Sequence, residues 1–152
     1  MDNPNIFKEE VSSKIIERIE KLSPETNAVW GKMNVAQMLA HCNVTYEMIY
    51  TDKHPKAKGF KKFILKSFIK PIVVTTKAYK QNSPTAPAFK IADSKEFEAE
   101  KNRLIEYIKQ TQALGENHFE GMESNSFGVL NKNEWNNMLY KHLDHHLSQF
   151  GV

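Results

Sequence analysis

The chain has 152 residues, the size of a single domain, and can bury roughly 70% of the surface that its unfolded form exposes. Hydrophobic residues make up 40% and charged residues 26% of the chain, which excludes a disordered chain, a collagen-like repeat and a small disulfide-stapled scaffold. Lys and Arg number 21 against 18 Asp and Glu, a surplus too small to predict nucleic-acid binding. We therefore expect one globular domain spanning residues 1–152.

The sequence predicts a cytoplasmic protein without stable membrane insertion. Its one cysteine, Cys42, cannot form an internal disulfide, and a reducing compartment is the simplest explanation. Residues 1–5 are polar and lack the apolar core of a signal peptide. The most apolar stretch, residues 60–74, is interrupted by four lysines and falls short of the ~18 uncharged residues of a membrane span.

Hydrophobic periodicity and capping residues predict four long helices, at about residues 7–22, 34–50, 95–114 and 131–149. Two of them begin with the signature of a capping box, Asn34 with Gln37 and Asn131 with Glu134. Asp93 or Ser94 is the predicted cap of the third long helix, and Gly115 its predicted end.

The segments between the long helices predict one shorter helix and two irregular connections. Residues 58–75 have the pattern of a basic amphipathic helix, which Pro71 should break or end. Residues 78–92 and 116–130 are predicted to be loops, and residues 72–74 are the one candidate for a short strand. This order of elements predicts an all-α four-helix bundle with a short extra helix in a long connection.

The basic segment has two interpretations. Its lysines alternate with aromatic residues, including Phe60, Phe63 and Phe68, and this composition suits an anionic membrane surface or an acidic partner. The alternative, which we favour, is a helix of the bundle whose basic face lies in water.

Three of the six histidines lie in the last predicted helix. His142 and His146 are one turn apart, on the arc that also contains Trp135 and Leu139, so both should point into the bundle. Two neutral imidazoles at this spacing can bind one divalent cation. The same spacing also suits two hydrogen-bonded polar residues at the end of a bundle.

His41, on the second helix, is the candidate third ligand, and three protein ligands would leave one position open for water or substrate. His145 lies at the edge of the arc, and Gln149 either orients a ligand or packs in the core. Cys42 should be an inert buried thiol. We expect His54 and His118 to be exposed and without a role.

Two motifs resemble those of the DinB-like (YfiT-like) metalloenzyme superfamily, and in particular a small uncharacterised bacterial branch of it. The opening motif is the run from Trp30-Gly31 to His41, and the closing motif is His-x-x-His-His-x-x-Gln from His142 to Gln149. The resemblance covers the chain from about residue 10 to the end.

The resemblance implies an up-down-down-up four-helix bundle, often dimeric, with one divalent metal ion (Zn, Ni or Fe) bound by His41, His142 and His146. Some members of the superfamily are thiol-dependent transferases or isomerases. We therefore expect a metal-dependent transferase or hydrolase acting on a small substrate, with a low-molecular-weight thiol as one candidate partner and no nucleic acid. The alternatives are a non-enzymatic bundle with a structural or empty metal site, and a module that binds a partner or a membrane surface.

Overall fold

The computed structural model describes residues 2–152 and is mostly helical, with one small two-stranded sheet. In chain order, its elements are α1 (Glu9–Glu20), α2 (Val35–Tyr50), α3 (Gly59–Ile64), a π-helical turn (Leu65–Ile69), α4 (Lys70–Val73), a 3-10 turn (Pro87–Phe89), α5 (Phe97–Leu114), α6 (Glu116–Phe119), β1 (Met122–Ser124), β2 (Gly128–Leu130) and α7 (Lys132–Gln149).

The four long helices enclose the hydrophobic core. Helices α5 and α7 each pack against both α1 and α2. The side chains between them are almost fully buried and include Ile15, Ile19, Leu39, Leu104, Ile108, Trp135 and Leu139. Burial of this apolar surface is the main force that holds the helices together. Within residues 2–152, no helix is both long and apolar enough to cross a membrane.

Both predicted capping boxes are present. At the start of α2, the Asn34 side chain accepts a hydrogen bond from the backbone N–H of Gln37 (2.9 Å), and the Gln37 side chain accepts one from the backbone N–H of Asn34 (3.0 Å). Asn131 and Glu134 make the same reciprocal pair at the start of α7. These bonds satisfy helix N–H groups that would otherwise lack a partner.

The predicted cap of α5 is wrong. The helix begins at Phe97 with Glu96 as its N-cap, and no side chain caps it. The Asp93 carboxylate pairs instead with Lys95 (2.9 Å). The helix ends at Gly115 as predicted, and a φ of +75° there explains why glycine is suited to this position.

Pro71 does not end the helix in the basic segment. Helix α3 continues through the π-helical turn into α4, where Pro71 lies in the first turn. A proline inside a regular α-helix clashes with the carbonyl four residues earlier, and the wider π turn just before it relieves that clash. The predicted strand at residues 72–74 is also wrong, because Ile72 and Val73 belong to α4.

The orientation of this helix also differs from the favoured interpretation. Phe60, Phe63 and Phe68 were expected to pack while the lysines faced water, but all three aromatic side chains are exposed. The periodicity identified an amphipathic helix, and the tertiary structure turns its aromatic side outward.

The second predicted loop contains an unpredicted hairpin. Strands β1 and β2 are antiparallel, with Met122 opposite Leu130. The Ser124 hydroxyl donates to the backbone carbonyl of Gly128 (2.8 Å) and accepts from the backbone N–H of Phe127 (2.9 Å), which closes the turn. Strands of three residues are too short to show an alternating pattern.

Candidate metal centre

Three histidines from two helices converge beneath the surface. His41 comes from the middle of α2, and His142 and His146 lie one turn apart near the end of α7. One side-chain nitrogen from each lies within 4.8 Å of the others, and the Nε2 atoms of His41 and His142 are 3.0 Å apart. Three imidazoles at this separation could bind a metal ion.

The irregular connection before α5 fixes the orientation of His41. Its Nδ1–H donates to the backbone carbonyl of Phe89 (2.8 Å), at the end of the 3-10 turn. Because a neutral imidazole carries one proton, Nε2 of His41 then presents its lone pair to the centre. The Phe89 ring also packs edge-on against His41 and His142.

A two-step hydrogen-bond chain orients His146. The Gln149 side-chain amide donates to the backbone carbonyl of Trp30 (2.9 Å), so its oxygen faces His146 and accepts from Nδ1–H of that ring (2.8 Å). Nε2 of His146 therefore also presents a lone pair. Gln149 is buried, and its role is positioning, one of the two roles that the sequence left open.

His142 completes the hydrogen-bond network. Since Nε2 of His41 is an acceptor, Nε2–H of His142 donates to it, and Nδ1 of His142 accepts from the Thr45 hydroxyl (3.2 Å). A cation would need the other tautomer of His142, with Nδ1–H donating to Thr45. The hydroxyl can serve in both states because it is both donor and acceptor.

All three imidazoles are held in the neutral form that binds metals. Burial lowers the pKa of His41 and lowers that of His142 well below its usual range, and the neighbouring histidines add to the effect. Burial and the proximity of His41 lower the pKa of His146 to about 3. Protons therefore compete weakly with a cation for these nitrogens at neutral pH.

A pocket of about 170 Å³ lies beside His145 and is lined also by Trp30 and Tyr79; the three clustered histidines do not line it. His145 lines it, between the rings of Trp30 (5.9 Å between centroids) and Tyr79 (5.6 Å), and it also packs edge-on against His146. His145 is thus beside the centre rather than within the cluster of three, as its position on the helix predicted.

The sequence matches the family described as "Protein of unknown function (DUF1569)" over residues 7–151. The chain belongs to this family. Comparison with curated proteins and with solved structures finds no match.

Lys141 binds the end of α4 and the chain segment that follows it. Its ammonium donates to the backbone carbonyls of Ile72, Thr75 and Lys77 at 2.7, 2.7 and 2.9 Å. It also lies 4.5 Å from the centre of the Tyr79 ring, within range of a cation–π interaction. The Lys141 ammonium group therefore holds the end of α4 and Tyr79 against α7.

The predicted burial of Cys42 and exposure of His118 are confirmed, whereas the predicted exposure of His54 is wrong. Cys42 is buried, and burial raises the pKa of its thiol, so it is inert. His118 is exposed as predicted. His54 is not: its side chain is largely buried and its Nε2 lies 2.7 Å from the Glu47 carboxylate.

The buried carboxylate of Glu47 is the centre of a second polar cluster that the sequence did not reveal. Arg103, Lys53 and His54 all bind it. Burial alone would raise the pKa of Glu47, but the hydrogen bonds from His54, Arg103 and Lys53 outweigh it and lower the value to about 2. This cluster joins α2 to α5 and has a structural role.

The sequence analysis missed three of the groups that orient the histidines, namely Thr45 and the carbonyls of Phe89 and Trp30. The carbonyls of Phe89 and Trp30 leave no signal in a sequence, because any residue has a carbonyl. Thr45 could have been found, since it lies one turn after His41. Gln149 was named from the sequence as a residue that either orients a ligand or packs in the core.

Proposed function

We propose that this protein is an enzyme that depends on one divalent metal ion bound by Nε2 of His41, His142 and His146. One observation carries the proposal: each of the three rings has its outer nitrogen engaged by a separate polar group, Phe89, Thr45 or Gln149. Such outer partners are typical of metal-binding histidines and set the tautomer that faces the ion.

We further propose the up-down-down-up four-helix bundle of the DinB-like superfamily. Its four members would be α1, α2, α5 and α7, and the packing of α5 and α7 against both α1 and α2 supports this arrangement. The long connection between α2 and α5, residues 51–96, supplies enough chain for those two helices to run in the same direction.

A bound divalent cation would supply Lewis-acid chemistry, polarising a substrate oxygen or lowering the pKa of a coordinated water or thiol. The chain's own groups would do the rest. Phe89, Thr45 and Gln149 hold the imidazoles in place, which avoids reorganisation when substrate binds. Trp30, Tyr79 and His145 would bind a small substrate in the pocket beside His145, whose ring packs against His146.

A small-molecule thiol is the substrate or cosubstrate class that we propose for this site. The three imidazoles are neutral, so the site would keep the full charge of the cation and attract an anion such as a thiolate. Cys42 cannot be that thiol, because it is buried within α2 with its pKa raised. The thiol would therefore come from a small molecule, as in the thiol-dependent transferases of the superfamily that the sequence resembles.

The hydrogen bond between His41 and His142 favours a second candidate, a non-enzymatic protein with a structural or empty site. The network from Thr45 through His142 and His41 to Phe89 is complete without a cation. Of the three clustered histidines, only His146 has a ring nitrogen without a partner among the hydrogen bonds of residues 2–152.

Elemental analysis of untagged protein decides between the candidates. We expect about one equivalent of a divalent metal, lost in His41→Ala, His142→Ala and His146→Ala but retained in His145→Ala and His118→Ala. A cation at 100 times its Kd should raise the free energy of unfolding by ~2.7 kcal/mol. Metal-free wild-type protein whose Tm does not respond to added zinc, nickel or iron would favour the second candidate.

Cobalt substitution tests whether the site is open. A low-molecular-weight thiol should produce a sulfur-to-metal charge-transfer band that persists in Cys42→Ala and is absent in His41→Ala. A cobalt spectrum unchanged by thiols, carboxylates and pH would indicate a closed, structural site.

A further inference from the structure

The basic charge of this protein is concentrated in one continuous part of the chain. Residues 53–92 contain ten lysines and no acidic residue. The other 112 residues hold eleven basic residues and all eighteen acidic ones, so the rest of the chain is net negative. The modest overall charge of +3 conceals this separation.

The helix formed by α3, the π turn and α4 displays an apolar strip within this basic region. Phe60, Phe63, Phe68 and Ile72 are 77%, 61%, 63% and 53% exposed. They follow one another at steps of three, five and four residues, and the five-residue step spans the π turn. Because a π turn contains more residues than an α turn, it keeps Phe68 and Ile72 on the same side as Phe60 and Phe63.

Two lysines hold the opposite side of this helix to the protein. Lys62 pairs with Glu123 on β1 (3.1 Å), and Lys70 pairs with Glu134 on α7 (2.9 Å). Leu65 and Val73 pack against the core from the same helix. The apolar strip is therefore fixed in an outward orientation and does not fold back onto the domain.

Two other lysines of this helix remain available to a partner. Lys61 and Lys66 are exposed, and neither forms an ion pair within the part of the chain that the structure describes. The helix thus combines an aromatic strip with exposed cationic side chains, along fifteen residues or about 22 Å. This combination is characteristic of helices that lie in the plane of a bilayer surface.

We propose that this helix docks the protein on the surface of an anionic lipid bilayer, with the strip inserted among the acyl chains and the lysines at the headgroups. Charge complementarity selects this occupant. A second copy placed on the same face would oppose two lysine-rich surfaces. An acidic protein would satisfy the lysines without accounting for four outward apolar side chains.

The full-length protein is tested by cosedimentation with vesicles of phosphatidylcholine alone and of equimolar phosphatidylcholine and phosphatidylglycerol. We expect binding to the anionic vesicles, weakened by salt. Lys61→Gln with Lys66→Gln should weaken it by roughly 25-fold, since each lysine near such a surface contributes about a fivefold factor. Phe60→Ser with Phe68→Ser should weaken it by about tenfold or more.

Matched controls remove the same groups elsewhere on the surface. Lys14→Gln with Lys109→Gln and Val29→Ser with Val129→Ser change exposed side chains outside the helix and should leave vesicle binding unchanged. Circular dichroism spectra of all variants should match that of the wild type.

Three results would overturn the proposal. The first is failure of the wild-type protein to bind anionic vesicles at low salt. The second is binding to poly-glutamate as tight as to the vesicles and indifferent to the Phe60 and Phe68 substitutions, which would indicate an acidic protein partner. The third is a wild-type dimer, found by sedimentation without lipid, that becomes monomeric in the Phe60→Ser, Phe68→Ser variant.

Discussion

Replacing Gly31 with alanine should damage the metal centre without changing any ligand. Gly31 has a φ of +85°, and a Cβ atom built on it would lie 2.4 Å from the side-chain nitrogen of Gln149. That nitrogen donates to the Trp30 carbonyl, and the other end of the same amide holds Nδ1–H of His146. The amide must move to admit the new methyl group, and His146 then loses its orienting partner.

The expected magnitude has two parts. An L-residue in the left-handed region costs roughly 1–2 kcal/mol, so the free energy of unfolding should fall by about that amount. Loss of the partner that orients a metal-binding histidine typically weakens metal binding by about 10–100-fold. Gln149 is buried and cannot escape into solvent, so we expect both effects together.

Gly121→Ala is the matched control for backbone strain. Gly121 has a φ of +74°, and a Cβ atom there would have no neighbour within 4 Å. Urea unfolding should show similar destabilisation of the two variants, whereas cobalt or zinc titration of the folded proteins should show weakened binding in Gly31→Ala alone. Equal metal affinity in both variants would refute the coupling from Gly31 through Gln149 to His146.

Three further predictions follow from other contacts. Thr45→Val should weaken metal binding by about 10–100-fold in titrations, because the acceptor for Nδ1–H of His142 is lost, whereas Thr45→Ser should retain it. Glu47→Gln should lower the free energy of unfolding by on the order of 2 kcal/mol at neutral pH. Folding lowers the pKa of Glu47 from 4.5 to about 2, so the stabilisation by its carboxylate is fully present above pH 4.5 and is lost as the pH falls from 4.5 to about 2. The free energies of unfolding of the two proteins, measured with urea, should therefore converge over this pH range. A difference that does not change with pH would contradict the assignment. Lys141→Met should lower the free energy of unfolding by about 2 kcal/mol and accelerate tryptic cleavage within residues 72–80. An unchanged rate of proteolysis would contradict the conclusion that Lys141 holds this segment in place.

The sequence by itself determined the features of this protein that depend on neighbours along the chain. The capping boxes at Asn34 and Asn131 require only residues three positions apart, so both could be predicted. The pairing of His142 with His146 is equally local, because one helical turn brings them together whatever the rest of the chain does.

The tertiary structure decided everything that depends on contacts between distant segments. His41 was a candidate ligand from its place on a helix, but only the packing of α2 against α7 brings its ring to His142. The carbonyls of Phe89 and Trp30 orient two of the rings, and a backbone carbonyl carries no sequence signal.

The helix formed by α3, the π turn and α4 shows the same difference between what the sequence predicts and what the tertiary structure decides. Its periodicity predicted two faces, but the choice of the outward face depended on Lys62 and Lys70 finding Glu123 and Glu134 elsewhere in the fold. A periodic pattern specifies which side chains share a face, because helical geometry is local. It does not specify which face the rest of the protein covers, because that depends on the free energy of contacts between segments far apart in the chain.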